Sequence, residues 1–132
     1  KEAAEEESNF QVLYPDDASL KDKIHAVATK VYGADGVEYS AAADKQLANY
    51  TTHGFGNLPV CIAKQHLSLS HDAKLKGAPT GWTLPVREVR ASVGAGFVYP
   101  ICGDMRTMPG LGTAPAAMQI DIDDNGDIVN LS

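Results

Sequence analysis

The sequence lacks the features that would place the protein in a membrane, on an export route or on nucleic acid. It contains no run of about 20 apolar residues and no recognisable signal peptide. A formal net charge of −6 argues against a broad basic surface, although it leaves room for a small basic pocket. We therefore expect a cytoplasmic protein with no nucleic-acid or membrane partner, and a mitochondrial version is the alternative.

Cysteine is scarce, and the usual catalytic and metal-binding patterns are missing. Cys61 and Cys102 both stand in apolar surroundings, which favours two buried free thiols over a disulfide or a catalytic thiol. His66 and His71 have no cysteine or carboxylate partner at ligand spacing. The sequence also has no Ser-His-Asp set, no paired carboxylates and no Walker-type phosphate loop. We expect neither a bound metal nor a catalytic residue in this chain.

The composition is that of one globular domain. The chain has 132 residues, of which 44% are hydrophobic and 21% charged, enough for a core of its own. We interpret residues 1–132 as one domain with an acidic lead-in (1–16), a long polar loop (64–81) and a terminal hairpin (119–132). Because the sequence opens without Met, in what resembles the middle of a helix, we expect an excised fragment.

Two helices are predicted in the first half of the chain. Ser19 and Asp22 form a capping-box pattern at the start of the first. Ser40 can cap the second, which should end before His53. Gly33 is expected to end the first helix, whose apolar residues recur at steps of four and three: Leu20, Ile24, Val27 and Val31.

Three to four strands are predicted around these helices. Residues 36–39 form a strand or an extended link, and 58–63 form an apolar run typical of a strand covered on both faces. Residues 83–89 and 97–101 are the other predicted strands. Helices alternating with buried strands indicate an α/β fold, with a small, mostly parallel sheet flanked by helices.

The end of the chain fits two motifs. Residues 121–126 match the first half of a calcium-binding EF-hand loop, but the twelfth position, which needs a glutamate, holds Ser132. A β-hairpin turned by Asn125 and Gly126, with isoleucines on both arms, explains the same residues better.

Arg87 and Arg90 are candidate anion-binding residues. A guanidinium donates two parallel hydrogen bonds to a phosphate or a carboxylate. On a strand, two residues three apart point to opposite faces, so at most one arginine would serve a given site. A salt bridge within the protein, for example to Glu88, is the favoured alternative.

Two further segments are candidates for substrate binding. Gly94 and Gly96 could bring backbone N–H groups together around an anion, although close packing of two elements is favoured. Met108 and Pro109 belong to a turn that could line a flat ligand or cover the edge of the sheet.

Five ordered segments together resemble the formate–tetrahydrofolate ligases. They are residues 32–40 (YGADGVEYS), 54–64 (GFGNLPVCIAK), 86–100 (VREVRASVGAGFVYP) and 105–111 (MRTMPGL), followed by the isoleucine-rich hairpin. One departure concerns Gly112, which stands where the family usually has proline after the Met-Pro-Gly-Leu turn.

The resemblance implies a part of a larger, three-domain and commonly tetrameric enzyme, at its C-terminal end. That enzyme would use ATP to convert formate to formyl phosphate and would then formylate tetrahydrofolate, giving 10-formyltetrahydrofolate, ADP and phosphate. The phosphate loop and the aromatic residues around the folate would lie in upstream domains, the expected partners of this chain. We therefore expect the chain to be inactive alone and to bind neither ATP nor tetrahydrofolate by itself; the alternative is a non-catalytic scaffold or oligomerisation module.

Overall fold

The structure is a computed structural model that describes residues 5–103, 113, 115 and 118–130. In these residues it has two α-helices, one π-helical turn and seven strands. In chain order they are α1 (Leu20–Ala26), the π-helical turn (Val27–Val31), β1 (Gly36–Tyr39), α2 (Ala41–Thr52), β2 (Ala63–Lys64), β3 (Thr83–Val86), β4 (Glu88–Ser92), β5 (Phe97–Cys102), β6 (Asp121–Ile122) and β7 (Ile128–Val129). No helix within these residues is long and apolar enough to cross a bilayer. The α/β class is confirmed.

The first helix begins at the predicted cap and then changes its geometry. The Ser19 hydroxyl accepts a hydrogen bond from the N–H of Asp22 at 3.1 Å. The π-helical turn that follows is wider than an α-turn and rotates the later residues around the axis. Ala28 is therefore fully buried, whereas Val31 is 51% exposed. The predicted apolar face is wrong at Val31. Gly33 ends the helix with φ +72°, as predicted.

The second helix follows its prediction closely. The Ser40 hydroxyl accepts from the N–H of Ala43 at 3.1 Å, and the helix ends one residue before His53. Ala43 and Leu47 are buried, and Tyr50 packs half-buried on the same core. Local capping and periodicity were sufficient to predict this element.

The strands form three separate sheets rather than one mostly parallel sheet. β1 and β3 pair in parallel; β2 and β5 also pair in parallel, but β4 pairs antiparallel to β5. The strand predicted over residues 83–89 is interrupted at Arg87, so its second half belongs to an antiparallel hairpin with β5. The sheet prediction is wrong in this respect because the glycine-rich segment after β4 forms a hairpin turn.

The apolar run over residues 58–63 is not a strand covered on both faces. Only Ala63 belongs to β2, and Val60 adds an isolated parallel bridge to Val98. Cys61 is exposed, so the prediction of two buried thiols is correct only for Cys102. One face of this sheet therefore lacks a covering layer at Cys61.

The buried core lies between the helices and the inner faces of the strands. It joins residues from α1, α2, β3, β4 and β5 with Trp82. Its members are Leu20, Ile24, Ala28, Ala34, Ala43, Leu47, Trp82, Leu84, Val86, Val89, Val98 and Cys102. Burial of this apolar surface is the main stabilising contribution to the fold.

A buried lysine attaches the lead-in segment to the core. The ammonium of Lys23 donates to the carbonyls of Asp16 (2.6 Å), Gly56 (3.1 Å) and Leu58 (3.2 Å). Burial lowers the pKa of Lys23, while the nearby carboxylates of Asp16 and Asp17 act in the opposite direction. This side chain holds the segment before α1 against the turn that precedes β2.

The long polar segment between β2 and β3 is organised by side-chain hydrogen bonds. The amide of Gln65 donates to the carbonyl of Ser70 at 2.5 Å and to the hydroxyl of Ser68 at 2.8 Å. At its end, the indole of Trp82 donates to the carbonyl of Pro79 at 2.9 Å. These bonds satisfy several polar groups of the segment, although the buried Nδ1 of His71 has no hydrogen-bond partner among the described residues.

The predicted terminal hairpin is confirmed. β6 and β7 pair antiparallel through Asp121↔Val129 and Ile122↔Ile128. The Asp123 carboxylate accepts from the N–H groups of Asn125 and Asp127 at 2.9 and 3.0 Å. These hydrogen bonds lower the pKa of Asp123, and the bond from the N–H of Asp127 has the largest effect. In this structure the first half of the EF-hand-like motif is the turn of a hairpin.

Candidate functional site

A cavity of about 450 Å³ opens where strands β1 and β3 end. In sheets with parallel strands, ligands bind preferentially beyond the carboxyl ends of the strands. Gly103, directly after β5, closes the cavity on one side. Its lining residues are Glu38, Tyr39, Ser40, Pro85, Val86, Arg87 and Gly103. We take this cavity as the candidate site.

Ser40 joins two elements at the wall of the cavity. Its hydroxyl caps α2 and at the same time donates to the carbonyl of Arg87 at 2.6 Å. Its own N–H donates to the carbonyl of Val86 at 3.0 Å. The N-terminus of α2 is therefore fixed against the junction between β3 and β4.

The backbone of Arg87 is held on both sides. Its N–H donates to the carbonyl of Ile101 at 3.0 Å, and its carbonyl accepts from Ser40. The exposed side chain of Arg87 begins from this fixed position and lines the cavity. A guanidinium that extends from a fixed backbone can hold an anionic group in a defined position in addition to attracting its charge.

The second wall is formed by the end of β1. Burial raises the pKa of the Tyr39 hydroxyl, and the carboxylate of Asp44 adds to the shift, so Tyr39 is neutral in the folded protein at neutral pH. Glu38, the preceding residue, also lines the cavity. The cavity is thus lined mostly by apolar surface, with Arg87 and Glu38 among its lining residues.

Arg90 lies in a different environment from Arg87. It pairs with Glu88, two residues away on the same face of β4, through Nε–Oε1 and Nη2–Oε2 distances of 2.8 and 3.2 Å. The hydrogen bond from Arg90 is the first cause of the lowered pKa of Glu88. The salt bridge that the sequence favoured is thus present for Arg90.

Gly94 and Gly96 lie at the other end of β4 and do not line the cavity. Five strand residues separate Arg87 from this turn, or about 17 Å at roughly 3.3 Å per residue. The N–H of Gly96 is used within the turn, donating to the carbonyl of Ser92 at 2.8 Å. Gly96 has φ +75°, and no neighbouring atom lies within 4 Å of where a Cβ would stand on either glycine. The favoured explanation, close packing of two elements, is therefore wrong: backbone conformation at the turn requires Gly96.

Met108 and Pro109 fall outside the described residues. Of the candidates that the structure describes, it brings only Arg87 to the cavity. Ser40 was predicted as a helix cap but not as a site residue, and Gly103 was not predicted as a site residue at all. The missing information was the pairing of β1 with β3, which joins residues about 47 positions apart.

Comparisons with known proteins identify the family. A family model for formate–tetrahydrofolate ligase matches residues 1–132. The chain belongs to the formate–tetrahydrofolate ligase family. The resemblance noted in the sequence is thereby confirmed.

Individual relatives show the same relationship. The formate–tetrahydrofolate ligase of Saccharopolyspora erythraea is 69% identical over 131 residues, which cover 99% of this chain and 23% of the relative. The ligase of Cutibacterium acnes is 61% identical over 129 residues, covering 98% and 23%. That of Herpetosiphon aurantiacus is 59% identical over 129 residues, with the same coverage. The chain therefore spans about a quarter of the length of these formate–tetrahydrofolate ligases.

Proposed function

We propose that this chain is the C-terminal part of a formate–tetrahydrofolate ligase and contributes to the catalytic cycle only within the whole enzyme. That enzyme phosphorylates formate with ATP and transfers the formyl group to tetrahydrofolate, yielding 10-formyltetrahydrofolate, ADP and phosphate. The observation that carries this proposal is the family match along the entire chain, combined with coverage of only 23% of the relatives. We place the enzyme in the cytoplasm, as a homotetramer of three-domain subunits.

Within that enzyme, we assign to the cavity beside Arg87 the positioning of an anionic group of a substrate or an intermediate. Formate, formyl phosphate, ATP and the glutamate of tetrahydrofolate all carry carboxylate or phosphate oxygens. A guanidinium recognises either group with paired hydrogen bonds. Its placement beyond β1 and β3, beside the fixed N-terminus of α2, supports this role for Arg87.

A scaffold role is the second candidate, and the sheet β2–β5–β4 favours it. Cys61 is exposed beside the partly exposed aromatic rings of Phe97 and Tyr99. Among the described residues, no group of three or more His, Cys, Asp or Glu could hold a metal ion. In this alternative, the chain supports the domains that carry the chemistry and touches no substrate.

The ligase proposal is tested by an exchange between this chain and its relative. Three forms of the Saccharopolyspora erythraea enzyme are produced: the intact enzyme, a shortened enzyme that lacks the 131 matching residues, and a chimera in which this chain replaces those residues. We expect 10-formyltetrahydrofolate from ATP, formate and tetrahydrofolate with the intact enzyme and the chimera, and none from the shortened enzyme or the isolated chain. Product from the isolated chain, or a folded but inactive chimera, would contradict the proposal.

A further inference from the structure

We propose that the outer face of the sheet β2–β5–β4 is the surface on which the remaining polypeptide of the same ligase subunit packs. We call this surface the outer sheet face and define it by Cys61, Ala63, Ser92, Phe97 and Tyr99, which surround one shallow depression of about 280 Å³. The inference rests on the proposed function, because it requires that this chain be part of a longer ligase.

The strand register places these residues on one side. Arg90 pairs with Tyr99 and Ser92 with Phe97, and side chains two apart on a strand share a face. The bridge between Val60 and Val98 aligns the neighbouring segment so that Cys61 falls level with Tyr99. The aromatic residues of β5 and the thiol therefore form one continuous surface.

The two sides of this sheet differ in what covers them. On the inner side, Val89, Val98 and Pro100 are buried, and β4 contacts α2. On the outer side, Ile101 is buried at the end of β5, whereas Cys61 is exposed and the rings of Phe97 and Tyr99, 5.8 Å apart in a tilted contact, are each only partly covered. An apolar, aromatic sheet face that is open to water is typical of a surface that another element covers.

The border of the outer sheet face is polar. The ion pair between Arg90 and Glu88 lies beside Tyr99 and Ile101 on the same side of the sheet. Contacts between domains of one chain are more polar than permanent subunit interfaces and combine an apolar centre with a charged rim. The outer sheet face has this composition.

The position of the lead-in segment favours the rest of the polypeptide as the occupant. β2 is an edge strand, and the N–H of Val60, in the segment leading to it, donates to the hydroxyl of Tyr14 at 3.2 Å. Tyr14 therefore contacts the free edge of this sheet, and Phe10 and Val12 in the same lead-in are 81% and 71% exposed. The relatives contain about three quarters of their length outside the matched region. That unmatched polypeptide is the occupant that we infer for the outer sheet face.

A second copy of this chain is the less favoured occupant. Each copy carries a formal charge of −6, so two isolated copies repel each other before their apolar surfaces meet. A covalently linked domain has no such barrier, because the link keeps its effective concentration high.

The two cysteines allow a direct test. Labelling of each thiol with iodoacetamide is followed by mass spectrometry of its peptide, in the isolated chain and in the chimera with the Saccharopolyspora erythraea enzyme. We expect Cys61 to react readily in the isolated chain and at least about tenfold more slowly in the chimera, since covered thiols react only after local opening. Cys102, which is buried, should stay unreactive in both and so reports that the fold is intact.

Two controls decide between the occupants. The variant Thr52→Cys carries an exposed thiol on α2, away from the outer sheet face, and should label equally in the isolated chain and the chimera. Equal labelling of Cys61 in both proteins overturns the proposal. Protection of Cys61 that appears in the isolated chain as its concentration rises also overturns it, in favour of a second copy. Because labelling needs no substrate, this result is independent of whether the chimera is active.

Discussion

Arg87 and Arg90 are close in sequence but lie in different surroundings in the fold. Arg90 and Glu88 share one face of β4 and form an exposed ion pair. Arg87 precedes the strand, at a backbone position fixed by Ile101 and Ser40, and lines the cavity. The sequence contains both residues within one short segment, and the break between β3 and β4 places them in different surroundings.

Replacement of each arginine in the chimera distinguishes a site from a scaffold. We expect Arg87→Ala to lower kcat/KM by about tenfold to hundredfold, the value of one or two hydrogen bonds to a charged group. Arg90→Ala, the matched control on the same segment, removes an ion pair at the polar border of the outer sheet face rather than at the cavity, and should change kcat/KM less than about twofold because such rim pairs contribute little. Steady-state kinetics with each substrate varied in turn would show which KM changes.

Assembly must be measured on the same variants. Size-exclusion chromatography should give the same oligomer for Arg87→Ala, Arg90→Ala and the parent chimera. Arg87→Lys, which keeps the charge but loses the planar fork, should recover part of the lost activity. If Arg87→Ala assembles normally and retains full kcat/KM, the cavity has no substrate role and the scaffold function stands.

At the scale of elements, local signals predicted the helices and long-range pairing decided the strands. The caps Ser19 and Ser40 were predicted because a hydroxyl and an N–H three residues later interact within one turn. The apolar pattern of residues 83–89 was read correctly, but these residues form two strands and not one. The break at Arg87 could not be predicted because its N–H bonds to the carbonyl of Ile101, which is far away in sequence. The exposure of Cys61 could not be predicted either, since an apolar run does not show which of its residues are covered in the fold.

The two helix caps permit a matched comparison. Ser19→Ala removes a cap whose hydroxyl interacts, within the described part of the chain, only with Asp22, and should lower the free energy of unfolding by about 1 kcal/mol. Ser40→Ala removes a cap and also the hydrogen bond to the carbonyl of Arg87, so its cost should be larger by about 1 kcal/mol. Urea unfolding of the isolated chain measures both. Equal costs would show that the link between α2 and the β3–β4 junction contributes nothing.

At the scale of the whole molecule, burial in the core couples ionisation to folding. Burial raises the pKa of the Cys102 thiol from 9.0 to about 12, with Lys64 opposing the shift, and also raises the pKa of Tyr39. In the unfolded chain these groups lose their protons near their ordinary values, whereas the folded protein retains them. Stability is therefore complete below about pH 9 and falls as the pH rises, because alkaline conditions stabilise the unfolded state. The pKa values of Lys23 and Lys64 are lowered, so these two lysines make stability rise with pH below their ordinary pKa of 10.5. Because both lysines are present in two proteins that differ only at Cys102, the difference between those proteins isolates the effect of the thiol.

Cys102→Ala should make the alkaline loss of stability less steep. Between pH 9 and 10, the free energy of unfolding of the unmodified chain should fall by about 1 kcal/mol more than that of Cys102→Ala, since a fully linked group contributes about 1.4 kcal/mol per pH unit. Cys61→Ala, on the outer sheet face, controls for the loss of a thiol. Urea unfolding at pH 7, 9 and 10 under reducing conditions provides the values. A slope that is the same with and without Cys102 would mean that the core does not hold this thiol in its protonated form, and the burial that defines the centre of the fold would then need revision.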